Sequence, residues 1–152
     1  MNEAFEKSID RVQELFDLLN REEIRPLLGT SYPQSPAIYV FFEDKKPIHV
    51  GRTNKLRQRI LGHRGQNHYS ATFAFKETRR LTDNLKASYK QKGSRAALMG
   101  DPLFRGEFDK QRERLGKFGI KYLVVENPID QYLLELYAAP EYQTSLTEFD
   151  NH

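Results

Sequence analysis

Apolar residues along this chain change their spacing several times, and each change marks an element. Phe5, Ile9, Val12, Phe16 and Leu19 recur at steps of four, three, four and three, the stripe of an amphipathic helix running to about residue 20. Residues 26–36, rich in Pro, Gly and Ser, form a connector. Ala37 to Phe42 and Pro47 to Val50 are short apolar runs, and Glu43 to Lys46 supplies a charged turn between two strands. Gly51 breaks the second run, after which Leu56, Ile60 and Leu61 return to helical spacing.

The second half is read in the same way. Gly62 to Ser70 is a loop. Alternation over Thr72 to Phe75 hints at a strand, but Phe75, Leu81, Leu85 and Tyr89 favour a helix starting near Ser70. Two glycines followed by Asp101-Pro102 break the chain between Gln91 and Asp101. A helix is expected over Phe104 to Leu115 and a strand over Gly119 to Glu126. Pro128 and Asp130 introduce a last helix from Gln131 to Ala139, which Pro140 closes.

At 152 residues one domain is the simplest organisation: a domain over 37–152, with the helix and connector of 1–36 packed on it. The absence of cysteine removes disulfides and thiolate chemistry. No apolar run has bilayer length, and the opening residues lack the basic and apolar regions of a secretory signal, so the expectation is a cytoplasmic protein with no membrane partner. The net charge of +3 hides a strong segregation. Residues 51–98 carry 12 Lys or Arg against Glu77 and Asp83, whereas residues 129–152 carry five acids and no Lys or Arg. A focused positive field of this kind suits a polyanion.

Ala37-Ile38-Tyr39, then His49-Val50-Gly51, then Arg59 eight residues beyond that glycine, His63 four further on, and Glu135 in the last helix form an ordered set. In this order and spacing the chain resembles the GIY-YIG nuclease superfamily, with His49 in place of the second tyrosine and Thr147 in place of a C-terminal asparagine. The resemblance covers most of the chain after residue 36. It implies an α/β fold, a small three-stranded mixed sheet flanked by helices, to which this chain adds an N-terminal helix. It also implies metal-dependent endonuclease activity on DNA, with RNA not excluded, and Mg²⁺ or Mn²⁺ held by Glu135.

The resemblance gives each residue a role. Tyr39 would orient or deprotonate the attacking water, although a tyrosine that titrates at about 10 needs local activation. His49 would be the base itself or would hold Tyr39 and the water in place. The planar fork of Arg59 suits charge growing on a phosphate, and His63, on the same helical face, would donate to the phosphate or to the leaving oxygen. Each has a plain structural alternative: a packed tyrosine, a strand histidine, a salt-bridged arginine, a capping histidine, a glutamate paired with an arginine. Arg52, Lys55, Arg57, Arg64, Lys76, Arg79 and Arg80, with Lys86, Lys90, Lys92 and Arg95, are candidates for backbone phosphates, and Tyr69 and Tyr89 for stacking on bases. Two rival classes stand beside the nuclease: a noncatalytic nucleic-acid-binding domain of a repair or modification assembly, and a protein-interaction domain with a basic face. One site acting alone would nick a strand, and cutting both strands would need a homodimer or successive cuts by a monomer.

Overall fold

The computed structural model describes residues 1–67, 70–82 and 94–144. In chain order the elements are α1 (Glu3–Arg21), β1 (Arg25–Pro26), β2 (Ala37–Glu43), β3 (Lys46–Thr53), α2 (Leu56–Arg64), α3 (Thr72–Leu81), α4 (Arg95–Gly100), α5 (Pro102–Leu115), β4 (Gly119–Val124) and α6 (Pro128–Glu141). The chain divides into two compact units, Met1–Gln58 with Phe118–His152, and Arg59–Lys117, and the division falls inside α2.

The first unit is built on a four-stranded sheet in the order β1-β4-β2-β3, and all three pairings are antiparallel. This corrects the expected three-stranded mixed sheet in two respects. The connector after α1 contributes Arg25–Pro26 as a short edge strand opposite Ile120 and Gly119, and β4 returns antiparallel along β2. Proline lacks the ladder N–H and is tolerated only at an edge, so Pro26 both permits this strand and disguises it. β2 lies inside the sheet with its first six residues buried, which explains an apolar run without alternation. Asp44 and Lys45 adopt positive φ of 50° and 68°, the conformation of a two-residue hairpin turn that follows the strand twist.

One sheet face packs against α1 and α6. Ile38, Val40, Phe42 and Val50 meet Leu19, Leu134, Ala138 and Ala139, with Leu15, Phe16 and Tyr142 at the margin. The α1 stripe is therefore used mainly at its C-terminal end. Phe5 and Ile9 remain 37% and 41% exposed. Asn2 caps the helix by accepting from Phe5 N at 3.2 Å, and Lys121 Nζ donates to the Asn20 carbonyl at its far end at 2.7 Å. Arg11 anchors α1 to α6 through both oxygens of Asp130, at 3.2 and 3.0 Å.

Helix α6 begins earlier than its apolar spacing suggests. Asn127 Oδ1 accepts from Ile129 N and Asp130 N at 2.9 and 3.2 Å, with Pro128 at the first turn, where its missing N–H is not needed. The helix runs through Pro140 to Glu141, so this proline sits inside the last turn and does not close the helix as its sequence position suggests. Gln131 donates to the Val125 carbonyl at 2.7 Å and the Thr53 carbonyl at 3.4 Å, which fixes the azimuth of Glu135 one turn later.

In the second unit Ala71, Ala74 and Phe75 pack with Leu98, Phe104 and Phe108. The expected helix after Ser70 is present as α3 to Leu81, and its expected continuation to Tyr89 lies outside the described residues. The expected break before Asp101 instead holds α4, capped by Ser94 Oγ, which accepts from Ala97 N at 3.2 Å. Asp101 ends α4 and caps α5 by accepting from Leu103 N at 3.0 Å. Among the described residues, no helix is long and apolar enough to cross a membrane.

Candidate functional site

The hairpin sets Tyr39 opposite Gly51 and Phe41 opposite His49. Directly opposed residues share a sheet face, so Tyr39, Phe41 and His49 stand together. Their ring centroids lie 5.2 Å (Tyr39–Phe41), 5.3 Å (Phe41–His49, stacked) and 6.0 Å (Tyr39–His49) apart. The Tyr39 ring leans across the strand onto Gly51. A Cβ there would overlap Cζ and Oη of the phenol and would sit 2.8 Å from Cε2. Gly51 is thus needed for side-chain room, and it lets the tyrosine reach over β3, an edge strand of the sheet. Tyr39 and His49 are fully buried.

Glu135 meets β3 through the residue after Gly51. Arg52 is registered opposite Ile38, a residue of the cluster beneath α6, and its Nε is 3.7 Å from Glu135 Oε1. The guanidinium also rests 3.8 Å from the centroid of the Tyr132 ring. The two side chains are 12% and 5% exposed, so this ion pair is largely removed from water. The hairpin therefore brings Tyr39 and His49 together, and Arg52, next to Gly51 on β3, carries the contact to Glu135. Arg52, expected on a phosphate, instead balances the carboxylate expected to hold a metal.

A divalent ion at Glu135 has a narrow fit. Among the described residues no group of three or more His, Cys, Asp or Glu gathers as a metal cage. One buried carboxylate suits only an ion that keeps most of its water or takes its remaining oxygens from phosphate, as Mg²⁺ does readily.

Arg59 and His63 belong to the second unit. The Arg59 guanidinium donates to Thr72 Oγ1 at 2.7 Å and to the Ser70 carbonyl at 3.4 Å, holding the loop after α2 against the start of α3. His63 is buried. The remaining basic candidates separate by role. Lys55 is exposed, and its N–H donates to Thr53 Oγ1 at 3.1 Å. Arg57 Nε donates to the Tyr32 carbonyl at 2.9 Å, and the Leu56 and Gln58 N–H groups donate to the Ser35 carbonyl and Gln34 Oε1. The connector thereby fills the first turn of α2 and leaves no donors there for a phosphate.

Arg64 is exposed and Lys76 half-buried. Arg79 is buried with its guanidinium 5.6 Å from the Phe75 ring centroid, opposite to the exposed phosphate contact expected of it. Burial, and then the nearby charge of Arg95, lower its pKa from the ordinary value. Arg80 pairs with Glu77 at 2.9 Å, and Arg114 reaches the same carboxylate at 2.8 Å. Burial would raise the Glu77 pKa, but the hydrogen bonds and charges of Arg80 and Arg114 outweigh it and hold the carboxyl below its usual value. Tyr69, Tyr89, Lys86, Lys90, Lys92 and Thr147 lie outside the described residues.

Charge follows the two units. Arg59–Lys117 holds 14 Lys or Arg and six Asp or Glu, whereas the rest of the chain holds 10 and 15. Sequence reasoning missed Tyr132 as the platform for Arg52, and it missed Arg105 and Arg112, whose positive charges alternate with acids along α5. Helical spacing was the available signal: residues 105, 109 and 112 share one face. No family model, curated protein or solved structure matches this chain.

Proposed function

We propose that this chain is a GIY-YIG-type endonuclease that hydrolyses phosphodiester bonds in DNA with Mg²⁺ or Mn²⁺. The observation that carries the reading is the Tyr39–Gly51 pair. A phenol laid across a glycine on an edge strand uses the two motif residues together, and the close approach gives the glycine a physical reason. The basic Arg59–Lys117 unit adds the charge that a nucleic-acid strand requires.

In this reading water attacks phosphorus, the bond to the leaving oxygen breaks, and one proton is taken from the water while another is delivered to that oxygen. Tyr39 orients the water, and His49, which shares its face, accepts the proton or holds the phenol in place. Arg59 stabilises charge on the phosphate and His63 donates to the phosphate or to the leaving oxygen, roles that rest on the resemblance. The bound ion would be held by Glu135 and would supply Lewis-acid stabilisation of the phosphate.

A second reading has specific support. Tyr39, His49 and His63 are buried and Glu135 is held by Arg52, as in a domain that binds nucleic acid without cutting it. Incubation with supercoiled plasmid in Mg²⁺, Mn²⁺ or chelator, beside Glu135→Ala and Arg59→Ala, separates the two. The nuclease gives metal-dependent nicking that both variants lose. A salt-sensitive gel shift with intact plasmid under every condition sinks the nuclease and favours the binding domain.

A further inference from the structure

The Arg59–Lys117 unit contains a cleft of about 460 Å³ lined by Arg64, Gln66, Arg105, Asp109, Arg112 and Glu113. Its volume falls in the range of small-ligand clefts, but its lining is almost wholly charged. On α5, residues 105, 109, 112 and 113 line it, beside the buried stripe of Phe104, Phe108 and Leu115. One wall is tied in place. Arg112 Nη2 donates to the Arg64 carbonyl at 3.1 Å and Nη1 lies 3.4 Å from Asp109 Oδ1. The bond to Arg64 satisfies a carbonyl at the C-terminal end of α2, a group the helix itself leaves unpaired.

Asp109 is shared. Arg105 Nε is 3.7 Å from the same Oδ1 and its side chain is 42% exposed, so one carboxylate faces two guanidiniums. The cleft as a whole sets three arginines against two acids, which leaves positive charge without making it uniform. That mixture discriminates between ligands. An acidic peptide would bring further carboxylates towards Asp109 and Glu113. A nucleotide brings one phosphate for the arginines, together with neutral base N–H donors that carboxylates and the Gln66 amide can accept.

We propose that this cleft seats one nucleotide of a nucleic-acid strand, with Arg64 and Arg105 on its backbone phosphate and Arg112 holding the walls. The assignment rests on the nucleic-acid reading above but not on catalysis, and chelator keeps the two apart. The test is fluorescence anisotropy of labelled single-stranded and duplex oligonucleotides in chelator, across a salt series, with wild type, Arg64→Ala, Arg105→Ala and Glu113→Gln. Arg64→Ala and Arg105→Ala should each weaken binding roughly three- to ten-fold and lower the log–log salt slope by about 0.7 to 0.9. Glu113→Gln should tighten binding about two-fold or more, a gain that misfolding cannot imitate. Variant isotherms that coincide with wild type overturn the cleft while leaving nucleic-acid binding intact. No salt-sensitive binding by wild type overturns both. Pyrophosphate that binds with Arg105-dependent affinity but does not compete with an oligonucleotide identifies a small-anion site and overturns the strand assignment.

Discussion

Replacing Gly51 by alanine sets a methyl group against the Tyr39 phenol. The new Cβ would stand 2.8 Å from Cε2 and closer still to Cζ and Oη, so the ring must turn or β3 must move. Overpacking a well-packed site costs about 1–3 kcal/mol, and exchanging glycine for alanine within a strand returns roughly 0.5–1 kcal/mol. A net loss of about 1–2 kcal/mol follows. Tyr39→Ala alone should cost about 3–5 kcal/mol, because it empties a buried aromatic site. With the ring gone the clash is gone, and Gly51→Ala should then be neutral or stabilising. Urea unfolding followed by far-UV circular dichroism, with the four proteins compared at a shared slope, measures this cycle. The coupling should exceed about 1 kcal/mol, well above the roughly 0.3–0.5 kcal/mol scatter of independent sites. If Gly51→Ala costs the same with and without the Tyr39 ring, the phenol does not lie over the glycine and the reasoning fails.

Two further outcomes follow from the charged groups. Arg52→Met or Glu135→Leu alone should destabilise by about 3–5 kcal/mol by stranding a buried charge, whereas the double variant should recover most of that loss in the same urea assay; additive losses would show that the 3.7 Å pair carries little. Glu77 has a carboxyl held below its ordinary 4.5, so its contribution to stability is full above that value and is lost as pH falls through the lowered folded value. Thermal melts between pH 7 and 3 should therefore show a shallower acid loss in Glu77→Gln than in wild type, and parallel profiles would contradict the network.

Local chemistry made much of this fold legible. The hairpin announced itself through two apolar runs and a charged turn, α5 through the break at Asp101-Pro102, and β4 through its apolar run. The failures are long-range or small. β1 is two residues containing Pro26, and only its pairing with Gly119 and Ile120 makes it a strand. α4 was hidden because Gly93 and Gly100 signalled a break, while Ser94 capped the helix between them. The direction of β4 could not be read from its own residues, because a long connection from β3 permits either orientation. At the candidate site, the hairpin register sets Tyr39 and His49 on one face. The link between Arg52 and Glu135 joins an edge strand to the last helix, and no local pattern encodes it. Basic charge was visible, but its use was not: Arg57 secures the connector and Arg79 covers Phe75.

The most direct test of the central claim is single-turnover cleavage of an end-labelled duplex by wild type and Tyr39→Phe, with binding measured in parallel in chelator. The account predicts metal-dependent cutting by wild type, a fall of about 10² or more in the cleavage rate of Tyr39→Phe, and unchanged affinity. Equal rates for the two proteins, or a wild type that binds the duplex and leaves every phosphodiester intact, would contradict it.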